Sequence, residues 1–235
     1  MRIVIALILA AGPAFAQAPT TFSLPAGCTA YVTVQNQSCE VEHHFTCTSD
    51  APGMKRRVSL DERGLTYVGQ IDDEAQWIAS FHVMAGINET LAPDPVDPAS
   101  MTELLATNLD TWDFRTLSAE VGETRYVGQD SLTGRQVTID GVTLEETAYE
   151  ITAFDASGAE IWSSRGNEYV SRDWRMFLSG TSTITTPAET FSRDSTPVEF
   201  IFPGDPGFLS ARPKHGCGLA ISSADILKEN ANDHL

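Results

Sequence analysis

The sequence predicts a mainly β protein, an antiparallel meander whose sheet curves into a half-barrel or barrel-like form and carries one short inserted helix. Three observations predict it. Residues 122–184 are a nearly unbroken series of strand patterns separated by hairpin turns. Turn signals recur at close spacing through most of the remaining chain, which favours hairpins over parallel crossovers. The alternation also changes phase near Glu145-Glu146-Thr147, with Val142 and Leu144 on one parity and Tyr149, Ile151 and Ala153 on the other. A period-2 strand does that only through a bulge or bend, the device that coils a long sheet.

At the start of the chain stand Arg2, an apolar run from Ile3 to Ala11, Gly12-Pro13, and Ala14-Phe15-Ala16. These are the three regions of a secretory signal over residues 1–16, and the run is too short to span a bilayer. Pro25-Ala26-Gly27-Cys28 is a poor lipid-anchor site, because it lies far past the apolar run and has proline where an aliphatic residue belongs. The expectation is cleavage after Ala16, no stable membrane insertion afterwards, and a periplasmic or secreted chain 17–235 forming a single β-rich domain. That chain would hold 14 basic against 32 acidic residues, a balance that disfavours nucleic acid and anionic membrane surfaces as partners.

Residues 17–26 form an extended arm, and residues 29–35 with 39–47 form the first hairpin. If Gln37-Ser38 is its two-residue loop, Val34 opposes Val41, Val32 opposes His43 and Cys28 opposes Cys47. Four cysteines in an exported chain imply two disulfides, so Cys28–Cys47 leaves Cys39–Cys217 by elimination. Strands follow at 56–60, 65–70 and 75–83, with Asp61-Glu62-Arg63-Gly64 as a turn and Lys55-Arg56-Arg57 as an exposed strand start. Tyr67-Val68-Gly69-Gln70 recurs as Tyr126-Val127-Gly128-Gln129, a match too short to mark a duplication.

Pro93, Pro95 and Pro98 make 91–97 a loop, after which Asp97 caps a helix beginning at Pro98 and ending near Asn108, with Val96 and Met101 as a hydrophobic staple. Strands resume at 111–117. Ser131-Leu132-Thr133-Gly134 and Asp155-Ala156-Ser157-Gly158 have the chemistry of type I turns closed by glycine. Asp140-Gly141 is a type I′ hairpin signal that pairs Ile139 with Val142 and Val137 with Leu144. Residues 186–197 are loop-like, 198–202 a short strand and 203–207 a turn. The end is either a short helix capped by Ser223 or a disordered tail over 229–235.

No catalytic, cofactor or metal motif stands out, and no cofactor is expected. There is no nucleophile elbow and no metalloprotease helix. His43 and His44 are adjacent, so on a strand they point to opposite faces and cannot grip one ion. His215 stands near Cys217, but a bonded Cys217 offers no thiolate. Asp72-Asp73-Glu74 suits a solvated turn better than a calcium loop. Trp77, Trp112, Trp162 and Trp174 fall in separate predicted strands and are candidates to line an apolar site on the concave side of the sheet.

Two segments, RYVGQDSLTG (residues 125–134) and GNEYVSRDWRMFLSG (residues 166–180), resemble stretches of exported bacterial proteins with no assigned function. A long curved antiparallel sheet with one inserted helix is similar in architecture to the half-barrels of periplasmic lipoprotein carriers. The expected function is non-catalytic binding of an apolar small molecule or lipid, with protein partners unspecified. The alternatives are a hydrolase assembled from scattered residues, which requires a nucleophile or carboxylate meeting a base, and a structural module, which requires an exposed apolar patch and no cavity.

Overall fold

The computed structural model describes residues 20–218. The expected signal over 1–16, the beginning of the arm, and the terminal helix or tail lie outside the described residues. Within them runs a 14-stranded antiparallel sheet that is not closed. Its strands are β1 (Cys28–Asn36), β2 (Glu40–Cys47), β3 (Lys55–Asp61), β4 (Gly64–Ile71), β5 (Trp77–His82), β6 (Ile87–Leu91), β7 (Leu109–Ser118), β8 (Gly122–Ile139), β9 (Val142–Asp155), β10 (Glu160–Ser171), β11 (Met176–Leu178), β12 (Thr181–Thr185), β13 (Thr190–Asp194) and β14 (Pro197–Ile201). From β1 to β10 each strand pairs with the next in sequence; β12 and β13 extend one edge, β11 pairs on β10, and β14 returns to pair with β1. Among the described residues there is one helix, α1 (Met101–Thr107), which interrupts the meander between β6 and β7.

The sheet bends far enough for its two edges to be joined by two residues, Ser195 and Thr196, which link β13 to β14. Ser195 N donates to Gly180 O at 2.9 Å and Gln37 N to Thr196 O at 2.9 Å, so this link touches both sides of the gap. Arg193 spans it as well, meeting Glu40 Oε2 at 3.2 Å. One apolar cluster of the core therefore mixes the two sides: Val32, Val34 and Phe200 pack with Leu144, Tyr169, Met176 and Leu178. The Asp140-Gly141 hairpin has the predicted pairing, both residues at positive φ, and Asp140 Oδ2 accepts from Phe200 N at 2.8 Å.

Four expectations need correction. The β1–β2 loop has three residues: Val34 opposes Glu42 and Val32 opposes His44, and a bulge at Tyr31 then restores Cys28 opposite Cys47. Cys39, at φ 57°, is held in the loop by its bond to Cys217 and by Cys39 N donating to His215 O at 2.8 Å. The 131–134 segment is no hairpin turn but a bulge inside β8, where Leu132 pairs with Thr147 and Gln136 with Glu145. The irregularity that coils the sheet thus sits opposite Glu146, on the partner strand. Residues 190–194 form a strand where a loop was expected.

The helix is capped by Ser100, whose Oγ accepts from Glu103 N at 3.1 Å. Asp97 instead exchanges backbone bonds with Asp113, and Val96 is 69% exposed, so no staple forms. The reason is tertiary. The amides of Ala99, Ser100 and Thr102 are taken by Gln76, Asp110 and Glu74, which holds the approach to the helix extended until Ser100.

Candidate functional site

Strand register builds the interior of the sheet in rows. Phe114 lies opposite Tyr126, which lies opposite Ala153, which lies opposite Trp162. The next row is Trp112, Gly128, Ile151 and Ser164; the next is Asp110, Asp130, Tyr149 and Gly166. Within these rows Ala153 faces Tyr126 and Trp162, Gly128 faces Trp112 and Ile151, and Gly166 faces Tyr149. Gly128 is required: a Cβ there would stand 2.4 Å from the Trp112 ring and 2.2 Å from Glu150 O. Lying across Gly128, the Trp112 indole donates from Nε1 to Asp130 Oδ2 at 3.1 Å.

The result is a cavity of about 330 Å³. One wall is aromatic. Tyr126 lies 5.4 Å from Phe114 and 6.0 Å from Trp162 between ring centroids, while Trp77, 42% exposed, stacks edge-on against Phe114 and Tyr126 at 5.6 and 5.3 Å. Of the four tryptophans, Trp77, Trp112 and Trp162 line this cavity. Trp174 does not; it occupies the turn after β10 and packs with Tyr31, Phe200 and Phe202 at about 6 Å.

The other wall is polar and was not anticipated. Arg57, expected to be an exposed strand start with its neighbours, lines the cavity instead, meets Glu42 Oε1 at 3.3 Å and stands 4.8 Å over the Tyr67 ring. Gly69 makes space for that ring, since its Cβ would fall 2.6 Å from Tyr67 atoms. The two Tyr-Val-Gly-Gln segments are alike on β4 and β8 in that each places its tyrosine at the cavity and has its glycine covered by an aromatic ring. Burial would raise the Glu42 carboxyl, but Arg57 and the hydrogen bond with His44 outweigh it and hold it at about 2. Glu89 accepts from Thr116 Oγ1 at 2.6 Å and Tyr126 OH at 3.0 Å and faces His82 Nε2 at 3.4 Å.

Two acids complete the lining. Burial, with Asp110 opposite, pushes Asp130 up to about 6. Burial, followed by the charge of Asp130, pushes Glu168 up to about 8, so Glu168 is largely a neutral acid near pH 7. Sequence reasoning missed both. Asp130 shares the parity of Tyr126 and Gly128, which was the available signal.

Elsewhere the cysteines form Cys28–Cys47 and Cys39–Cys217, a disulfide pattern typical of extracellular proteins. His43 bonds Thr33 Oγ1 at 3.0 Å and stacks under Phe22, whereas His44 lines the cavity, so the adjacent histidines do face apart. Cys39, Cys217 and Glu62 converge, but the two sulfurs are spent in a disulfide and hold no metal. Among the described residues no helix is long and apolar enough to cross a membrane. No family model, curated protein or solved structure matches the chain. The chemistry of the cavity is what bears on function.

Proposed function

We propose that this is an exported, non-catalytic binding protein that takes a small molecule with a flat apolar body into the cavity of its open sheet. The observation that supports the reading best is the space itself: about 330 Å³ with Trp77, Trp112, Phe114, Tyr126 and Trp162 in its lining. Aromatic faces with a few convergent polar groups suit a ligand that must be both desolvated and oriented. Export to the periplasm or beyond is favoured by the signal-like start and by two disulfides, which persist in oxidising compartments.

A hydrolase finds less support. The Thr33–His43 contact is shut beneath Phe22, and Cys217 beside His215 is bonded. Native mass spectrometry of protein purified gently from its own compartment tests the proposal. A small-molecule adduct that is lost on denaturation is the expected result. A bare mass, together with no adduct on titrating a lipid-sized apolar probe, leaves the cavity as a structural void and refutes it.

A further inference from the structure

We infer that the cavity selects an organic cation, an ammonium group carried on an apolar or aromatic body. This rests on the reading of the cavity as a binding site. The first support is the pattern of compensation among the charges that line it. Lys55 meets Asp73 at 2.8 Å, Arg56 meets Asp50 at 2.6 Å, Arg57 meets Glu42 at 3.3 Å and Arg193 meets Glu40 at 3.2 Å. Every basic side chain of the lining thus already has a carboxylate. Glu89 is occupied by Thr116, Tyr126 and His82.

Asp130 and Glu168 are left over. Asp130 is 8% exposed; one oxygen accepts from Trp112, and the other accepts nothing among the described residues. Directly across the strands stands Asp110, itself buried, with Oδ1 unpartnered. Glu168 has no hydrogen-bond partner among the described residues and feels Asp130 from β8, Arg57 from β3 and Glu42 from β2. The Arg57 charge is shared with Glu42 and the Tyr67 ring, so it does not neutralise Glu168. With Asp130 buried and Glu168 half-buried, ionising both in the empty cavity is unfavourable, whereas an entering cation would favour both carboxylates.

The second support is independent of the acids. Trp77, Phe114, Tyr126 and Trp162 line the same cavity and cluster with one another, and aromatic rings are the side chains that attract ammonium groups. Trp112 joins the two features, with its ring packed on Phe114 at 5.8 Å and its N–H on Asp130. The chain's formal charge of -17 would also draw cations towards it.

Calorimetric titration with benzyltrimethylammonium, benzyl alcohol and phenylacetate decides the matter. The cation should bind at least tenfold more tightly than either other probe. A variant carrying Asp130→Asn and Glu168→Gln should lose that preference, bringing the cation within about threefold of the alcohol. Equal affinities, a preference for phenylacetate, or a preference that survives the double substitution overturns the cation inference and leaves the binding reading standing. Failure of all three probes overturns the inference too, and with a bare native mass it removes the binding reading as well. The ranking on the unsubstituted protein decides by itself if the variant misfolds.

Discussion

His43 is buried between Thr33 and Phe22, and burial followed by the neighbouring charge of His44 pulls its imidazole down to about 4. The unfolded chain therefore binds the proton more readily between pH 6.5 and 4. Stability should rise with pH across that window and flatten above it, and a His43→Gln variant should show a shallower slope in denaturant titrations. Glu168 has the opposite sign. Its folded value is raised, so its favourable contribution is present below pH 4.5 and is lost as pH rises through about 8. Glu168→Gln should leave stability near pH 4 almost unchanged and increase it at pH 9 by roughly 1–3 kcal/mol, below the ~5 kcal/mol of a full shift from 4.5 to about 8 because the side chain is only partly buried and solvent screens it. Thermal melts at both pH values check this. Trp112 was legible by alternation because it lies in a regularly paired strand, and Trp162 because alternation is regular from that residue onward, past a bulge at Ile161. Trp174 was misplaced because alternation stops at the turn where Arg175 takes φ 46°. The two acids were illegible for a different reason: an acid on the inward parity has the same pattern as a strand that has slipped, and Asp130 and Glu168 stand on different strands, β8 and β10, brought close only by the adjacent rows Asp130–Tyr149–Gly166 and Leu132–Thr147–Glu168.

At the scale of elements, local chemistry named the turns but not always what they join. Asp155 closes its hairpin as expected, accepting from Ser157 N at 2.8 Å and Ala159 N at 3.0 Å. Thr133-Gly134 uses the same left-handed glycine within one continuous strand, and nothing in four residues distinguishes a turn from a bulge. Helix α1 shows the same limit, since contacts from Gln76, Glu74 and Asp110 moved its start. Ser100→Ala should cost about 1 kcal/mol in chemical denaturation, as loss of an N-cap does. Gly128→Ala should cost about 2 kcal/mol, since its methyl would meet both the Glu150 carbonyl and the Trp112 ring. An unchanged unfolding midpoint for Gly128→Ala would mean that Trp112 does not lie across that glycine.

For the whole molecule, the meander and its curvature were legible, because hairpin spacing and a phase change are properties of the sequence itself. The near-meeting of the edges was not, since it depends on how far fourteen strands twist. The Cys39–Cys217 bond ties the first hairpin to the segment that covers it across a sequence separation of 178. Replacing both cysteines by serine should lower stability by roughly 3–5 kcal/mol on the chain-entropy model, read from equilibrium unfolding. The central claim is that the space behind Trp112 and Trp162, and not the surface around Trp174, receives a ligand. Quenching of tryptophan fluorescence by a brominated apolar amine tests it most directly. One-to-one saturable quenching that is unaffected by Trp174→Phe and diminished by Trp162→Phe is the predicted result. Quenching that rises without saturation, equally in both variants, would contradict it.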